Sequence, residues 1–99
     1  NHGYCDFFLL PDLTHYASLH SYILELKVLS KKDFSAIVEG AFTEDGKPMT
    51  KAEKQWREAL DQIHQYAEAP RVEALRQGTK LHLIIMQFEG WELKRMEEV

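Results

Sequence analysis

The 99 residues are 44% hydrophobic and 11% aromatic and carry a formal charge of −4, which supplies one small core and leaves no room for a second domain. No apolar run approaches the roughly 20 residues that cross a bilayer, and the acidic balance gives no overall attraction for a phosphate backbone, so a nucleic-acid role has to rest on local arrangement. The single cysteine, Cys5, excludes an internal disulfide and any multi-cysteine zinc site and points to a reducing, cytoplasmic setting.

The opening residues, Asn1-His2-Gly3-Tyr4, lack an initiator Met and the basic-then-apolar profile of a signal peptide, so the chain reads as one domain cut from a longer protein. Residues 4–10 are aromatic and aliphatic, carry one charge, Asp6, and stop at Pro11, as a strand running into a turn does. "PDLTHYASLH" shows no clear period and reads as a loop. The segment "SYILELKVL", residues 21–29, is a strand with an interruption: Glu25 and Lys27 share one face with Ile23 and Leu29, while Tyr22, Leu24, Leu26 and Val28 take the other. The short connection predicts that these two strands pair antiparallel.

Residues 30–50 carry mixed signals. "SKKDFSAIVEG" has the makings of a short helix closed by Gly40, and "EDGKP" is a turn by composition. Thr50 with Glu53 forms a capping box, after which Ala52, Trp56, Ala59, Leu60, Ile63 and Ala67 recur at helical spacing. That helix ends before Pro70, and "PRVEALRQG" predicts a further short one between a first-turn proline and Gly78. "KLHLIIMQF", residues 80–88, is a strand whose apolar centre suits burial on both faces. Glu89-Gly90 turns it into an outer strand in which Trp91, Leu93 and Arg95 alternate. The long helix serves as a right-handed crossover that sets residues 21–29 and 80–88 parallel, giving an α/β (α+β) domain with a mixed sheet.

Paired strands lie about 4.8 Å apart, so Asp6 and Glu25 are able to converge on one hard cation such as Mg²⁺, which favours carboxylates, water and phosphate oxygens. Lys27, on the Glu25 face, would then offer a point charge to a phosphate or an attacking water. The plainer reading is that the face is open to solvent and Glu25 and Lys27 are ordinary polar residues. Five histidines raise zinc, but His15 and His20 are five apart, no His-Glu-x-x-His pattern occurs, and His82 reads as a core or sheet-face residue.

"GYCDFFLLP" followed by "YILELK" resembles the PD-(D/E)XK nuclease superfamily, with an Asp at a strand end and an acidic-x-Lys in the next strand. The Gly3-Tyr4-Cys5-Asp6, Glu25-Leu26-Lys27 and Gln62-Ile63-His64-Gln65-Tyr66 segments are further similar to the nuclease-like domain at the C-terminal end of bacterial AAA-ATPase-like proteins. The resemblance implies a restriction-endonuclease-like fold and a Mg²⁺- or Mn²⁺-dependent nuclease acting on DNA or RNA, beside an upstream ATPase-like portion. It further implies that Asp6, Glu25 and the Leu26 carbonyl bind metal, that Lys27 assists the water, and that Gln62 and Tyr66 border the site. Gln62 and Tyr66 are one helical turn apart; in isolation the pattern equally describes a surface Gln beside a packing Tyr. Cys5 stands where the motif name has proline. The superfamily core also begins with a helix and a first strand that would lie upstream of Asn1, so the resemblance implies an N-terminally truncated domain with an exposed sheet edge and a tendency to dimerise or exchange strands. The contrasting reading is an inactive nuclease-like fold acting as an interaction or regulatory module of the larger protein.

Overall fold

A computed structural model describes residues 7–9 and 20–99. A four-stranded mixed sheet runs in the order β1 (Phe7–Leu9), β2 (His20–Leu29), β5 (Lys80–Glu89), β6 (Glu92–Glu98). As the sequence predicts, β1 and β2 are antiparallel, β2 and β5 parallel, and β5 and β6 antiparallel. Between β2 and β5 the chain builds α1 (Lys31–Phe34), β3 (Ile37–Phe42), β4 (Pro48–Thr50), α2 (Lys51–Glu68) and α3 (Pro70–Leu75). This is a mixed α+β architecture of the restriction-endonuclease-like kind.

The crossover helix α2 begins where the capping box puts it. Thr50 is extended, and its hydroxyl accepts the Glu53 N–H at 3.2 Å, satisfying one of the amides that a helix start leaves without an intrahelical partner. Its stripe faces the sheet: Trp56, Ala59 and Ile63 are buried with Ile23, Leu83 and Ile85 in one core cluster, and Leu60 and Ala67 pack around it. Pro70 opens α3 directly after α2, and Gly78 takes φ 76° in the exit turn, a conformation that costs glycine little.

Three expectations need correction. Residues 30–40 do not form one helix closed by Gly40: α1 is a single turn, capped by the Ser30 hydroxyl, and Gly40 sits at φ 79° inside β3, which pairs with β4 as a separate two-stranded sheet. The strand β5 is fully buried on one face only. Leu83, Ile85 and Gln87 lie beneath α2, whereas Ile84, Met86 and Phe88 are half-exposed on the opposite face with Leu24 and Leu26. The alternation of Trp91, Leu93 and Arg95 also fails. Trp91 is fully exposed in the turn, and a bulge puts Leu93 opposite Phe88 but Arg95 opposite Gln87, so Leu93 and Arg95 point to different faces. Arg95 consequently lies over the Trp56 ring, 3.9 Å from its centroid, a cation–π contact.

Among the described residues no helix is long and apolar enough to cross a membrane.

Candidate functional site

Alternation along β2 places Ser21, Ile23, Glu25 and Lys27 on the face covered by α2. Glu25 is fully buried, and its Oε1 lies 3.4 Å from Lys27 Nζ, whose side chain keeps 21% exposure. The same ammonium donates to Gln62 Oε1 at 3.5 Å. One lysine head group therefore joins the strand to the helix, and it reaches the surface together with the half-buried Gln62. The open-face alternative for Glu25 and Lys27 is thereby excluded.

Taking a carboxylate out of water costs several kcal/mol, which a single ion pair repays only in part; well-packed apolar side chains would serve stability at least as well. A charged pair kept at such a position suits chemistry better than packing.

A model of the PD-(D/E)XK nuclease superfamily matches residues 1–98. The chain belongs to this superfamily. No significant match is found among curated proteins or among solved structures.

Within this nuclease-like domain, the structure brings Glu25 and Lys27 together with Gln62. Leu26 lies between them on the opposite, half-buried face. Tyr66, one turn beyond Gln62, is buried in the core cluster with Ile23 and Ile63. Asp6 lies outside the described residues, as do Cys5 and His15. Members of the superfamily generally depend on a divalent metal. The donors described here, a carboxylate and a backbone carbonyl, are hard oxygens of the type Mg²⁺ or Mn²⁺ accepts. Among the described residues no group of three or more His, Cys, Asp or Glu is placed to hold a metal.

A neighbouring amide pair escapes sequence reasoning. Gln87 is the register partner of Lys27 in the parallel ladder and is 3% exposed. Its Nε2 donates to the Ala52 carbonyl at 2.7 Å and to Gln55 Oε1 at 3.0 Å, and Gln55 Nε2 donates to the Val28 carbonyl at 3.4 Å. The two glutamines tie the first turns of α2 to both central strands beside Lys27. The available signal was period two: Gln87 follows Leu83 and Ile85 on the helix-covered face, where a buried amide needs a partner.

His82 is a half-buried sheet-face residue as predicted. Its Nε2 lies 2.7 Å from His20 Nδ1 and its Nδ1 3.1 Å from Glu98 Oε2, and Tyr22 stacks on its ring at 4.9 Å. The two rings hydrogen-bond each other.

Proposed function

We propose that this domain is a metal-dependent nuclease that hydrolyses phosphodiester bonds of DNA or RNA. Asp6, Glu25 and the Leu26 carbonyl are the groups that would hold Mg²⁺ or Mn²⁺; when bound, the cation supplies polarisation of a phosphoryl oxygen and a bound water of lowered pKa. The observation that carries this reading is the buried Glu25 carboxylate 3.4 Å from an ammonium fixed by Gln62.

The ladder supports a role for Asp6. Phe7 pairs with Leu24, and Asp6 and Glu25 are the residues that adjoin this rung in the sequence. Lys27 has three donors. Beyond Glu25 and Gln62 it retains capacity for one further acceptor, a water or a phosphate oxygen, whose developing charge it would stabilise. Gln62 and Tyr66 act as positioning residues: the first aims the ammonium, the second anchors the helix face that carries it. The Gly3-Tyr4-Cys5-Asp6 and Gln62-to-Tyr66 segments further support placing the domain beside an ATPase-like portion of a larger protein.

The test combines calorimetric titration of Mg²⁺ and Mn²⁺ with cleavage of single- and double-stranded DNA and RNA. Binding is lost in Asp6→Ala and Glu25→Ala, and cleavage but not binding is lost in Lys27→Ala, with circular dichroism confirming that each variant is folded. Metal-dependent cleavage persisting in Lys27→Ala, or the absence of metal binding by the folded wild-type chain, overturns the assignment and leaves an interaction module.

A further inference from the structure

We infer that Gln87 and Gln55 form a positioning clamp that sets where the Lys27 ammonium stands, an inference whose catalytic consequence rests on the reading of Lys27 as the charge beside the attacked phosphate. Gln87 is 3% exposed and spends its amide hydrogens on α2: Nε2 donates to the Ala52 carbonyl at 2.7 Å and to Gln55 Oε1 at 3.0 Å. Gln55 Nε2 carries the link on to the Val28 carbonyl at 3.4 Å. The chain of amides therefore starts on β5, crosses the first turns of α2 and ends on β2. Both of its strand ends adjoin Lys27, since Gln87 is the register partner of Lys27 and Val28 follows it in β2.

Burying an amide costs free energy that its hydrogen bonds only offset, and an apolar residue at position 87 would continue the buried run of Leu83 and Ile85 without that cost. What the amide adds is direction. Apolar contact of the sheet with Ala52, Trp56, Ala59 and Ile63, all buried, sets how near α2 lies, but such contact is non-directional and specifies sliding along the strand only loosely. Hydrogen bonds depend steeply on distance and angle and so fix the helix both along and about its axis. Gln62 stands two helical turns beyond Gln55, about 10 Å along the same rigid rod. Anchoring Gln55 therefore also places Gln62.

The contact between Lys27 and Gln62 has little slack. At 3.5 Å it stands at the outer limit of a hydrogen bond, so a shift of α2 by about 1 Å away from the ammonium breaks it, and sliding a helix by one residue moves it by about 1.5 Å. Once released from Gln62, the ammonium is drawn toward solvent, to which its side chain already has 21% exposure, and the charge leaves the point where a phosphate would meet it. Misplacement of that size costs a reaction about 100-fold. The hydrogen bonds of Gln87 go to α2 and not to the ammonium, so Gln87 is a positioning residue that acts through Gln55 and the helix.

NMR relaxation of the lysine ε-methylenes, together with cleavage kinetics, tests this. In the wild-type chain the Lys27 ε-methylene has a high order parameter beside that of the exposed Lys32. Gln87→Met, which keeps the buried volume, and Gln55→Met, at a half-buried position that disturbs the core less, each move the Lys27 value at least halfway to that of Lys32. In cleavage assays with Mg²⁺ or Mn²⁺ each lowers kcat about tenfold or more and leaves KM within about twofold. Val72→Ala, a core substitution in α3, lowers stability but leaves the Lys27 order parameter where it is, which separates positioning from general loosening. An unchanged Lys27 order parameter in folded Gln55→Met, an equal fall in Val72→Ala, or wild-type kcat in both glutamine variants overturns the inference. The relaxation readout needs no activity: a wild-type chain that binds no metal and cleaves nothing overturns the nuclease reading, and Lys27 order still decides the clamp.

Discussion

Replacing Lys27 by Met removes the ammonium 3.4 Å from a carboxylate with no solvent exposure while retaining most of the aliphatic stem. At an effective dielectric of about 20 the Coulomb attraction at this distance is about 5 kcal/mol. The partial exposure of Lys27 and the relieved cost of desolvating it reduce the net effect, and deleting one member of a buried pair typically costs about 3–5 kcal/mol. We therefore expect Lys27→Met to destabilise the fold by about 3 kcal/mol. With a urea m-value of about 2 kcal/mol/M, the unfolding midpoint falls by about 1.5 M. Urea is the denaturant of choice because guanidinium would screen the pair. Glu25→Gln and the double variant complete a cycle in which the double variant recovers at least about 2 kcal/mol of the summed single costs. A coupling below about 0.5 kcal/mol would show that the two charges do not sense each other, and with it would go the claim that Glu25 and Gln62 preset the lysine.

Three further outcomes follow from the described contacts. Ile63→Ala, at a fully buried position of α2, leaves a cavity under the helix and costs about 3 kcal/mol in urea unfolding; a loss below about 1 kcal/mol would mean that α2 is not packed on the sheet as described. Thr50→Ala removes the hydroxyl that accepts the Glu53 N–H and lowers stability by about 1 kcal/mol, with Thr50→Ser restoring it. The Glu44 carboxyl is held below its ordinary 4.5, first by the hydrogen bond from Arg57 and then by its own backbone. Its folded value being depressed, its stabilising contribution is present above pH 4.5 and is lost as pH falls through the folded value. Arg57→Met accordingly lowers the urea midpoint slightly above pH 4.5 and flattens the acid limb, so that the two curves converge at low pH; superimposable curves would contradict it.

The parts of this fold that were legible are those in which one local signal agreed with a tertiary requirement. The capping box at Thr50 and the stripe from Ala52 to Ala67 specify both the start of α2 and its buried face. A helix of that length between two strands dictates the parallel β2–β5 pairing. Period two along β2 put Glu25 and Lys27 on one face, and helical spacing put Gln62 where it meets them. What was not legible lacks such agreement. The β3–β4 hairpin buries Met49 but leaves Ile37 and Phe42 largely exposed, so no hydrophobic period marks it, and a glycine at positive φ within β3 looks from sequence like a helix stop. The bulge near Lys94 is a property of two strands held in register and leaves no trace in either alone. Gln87 hides in an apolar run because its partners, Ala52 and Gln55, are more than 30 residues away. The acid expected to complete the site, Asp6, lies outside the described residues.

The central β2–β5 ladder joins residues 60 positions apart at every rung, from His20 with Lys80 to Leu29 with Glu89. No rung of it forms without closing a loop of that length, and the closure entropy is spent before the first contact is gained. The local units, α2 and the β5–β6 hairpin, are able to assemble early, and the step that brings β2 alongside β5 governs the rate. Substitutions that weaken the start of α2 should slow refolding as well as accelerate unfolding, whereas changes in the β3–β4 hairpin should leave the refolding limb of a stopped-flow chevron where it is.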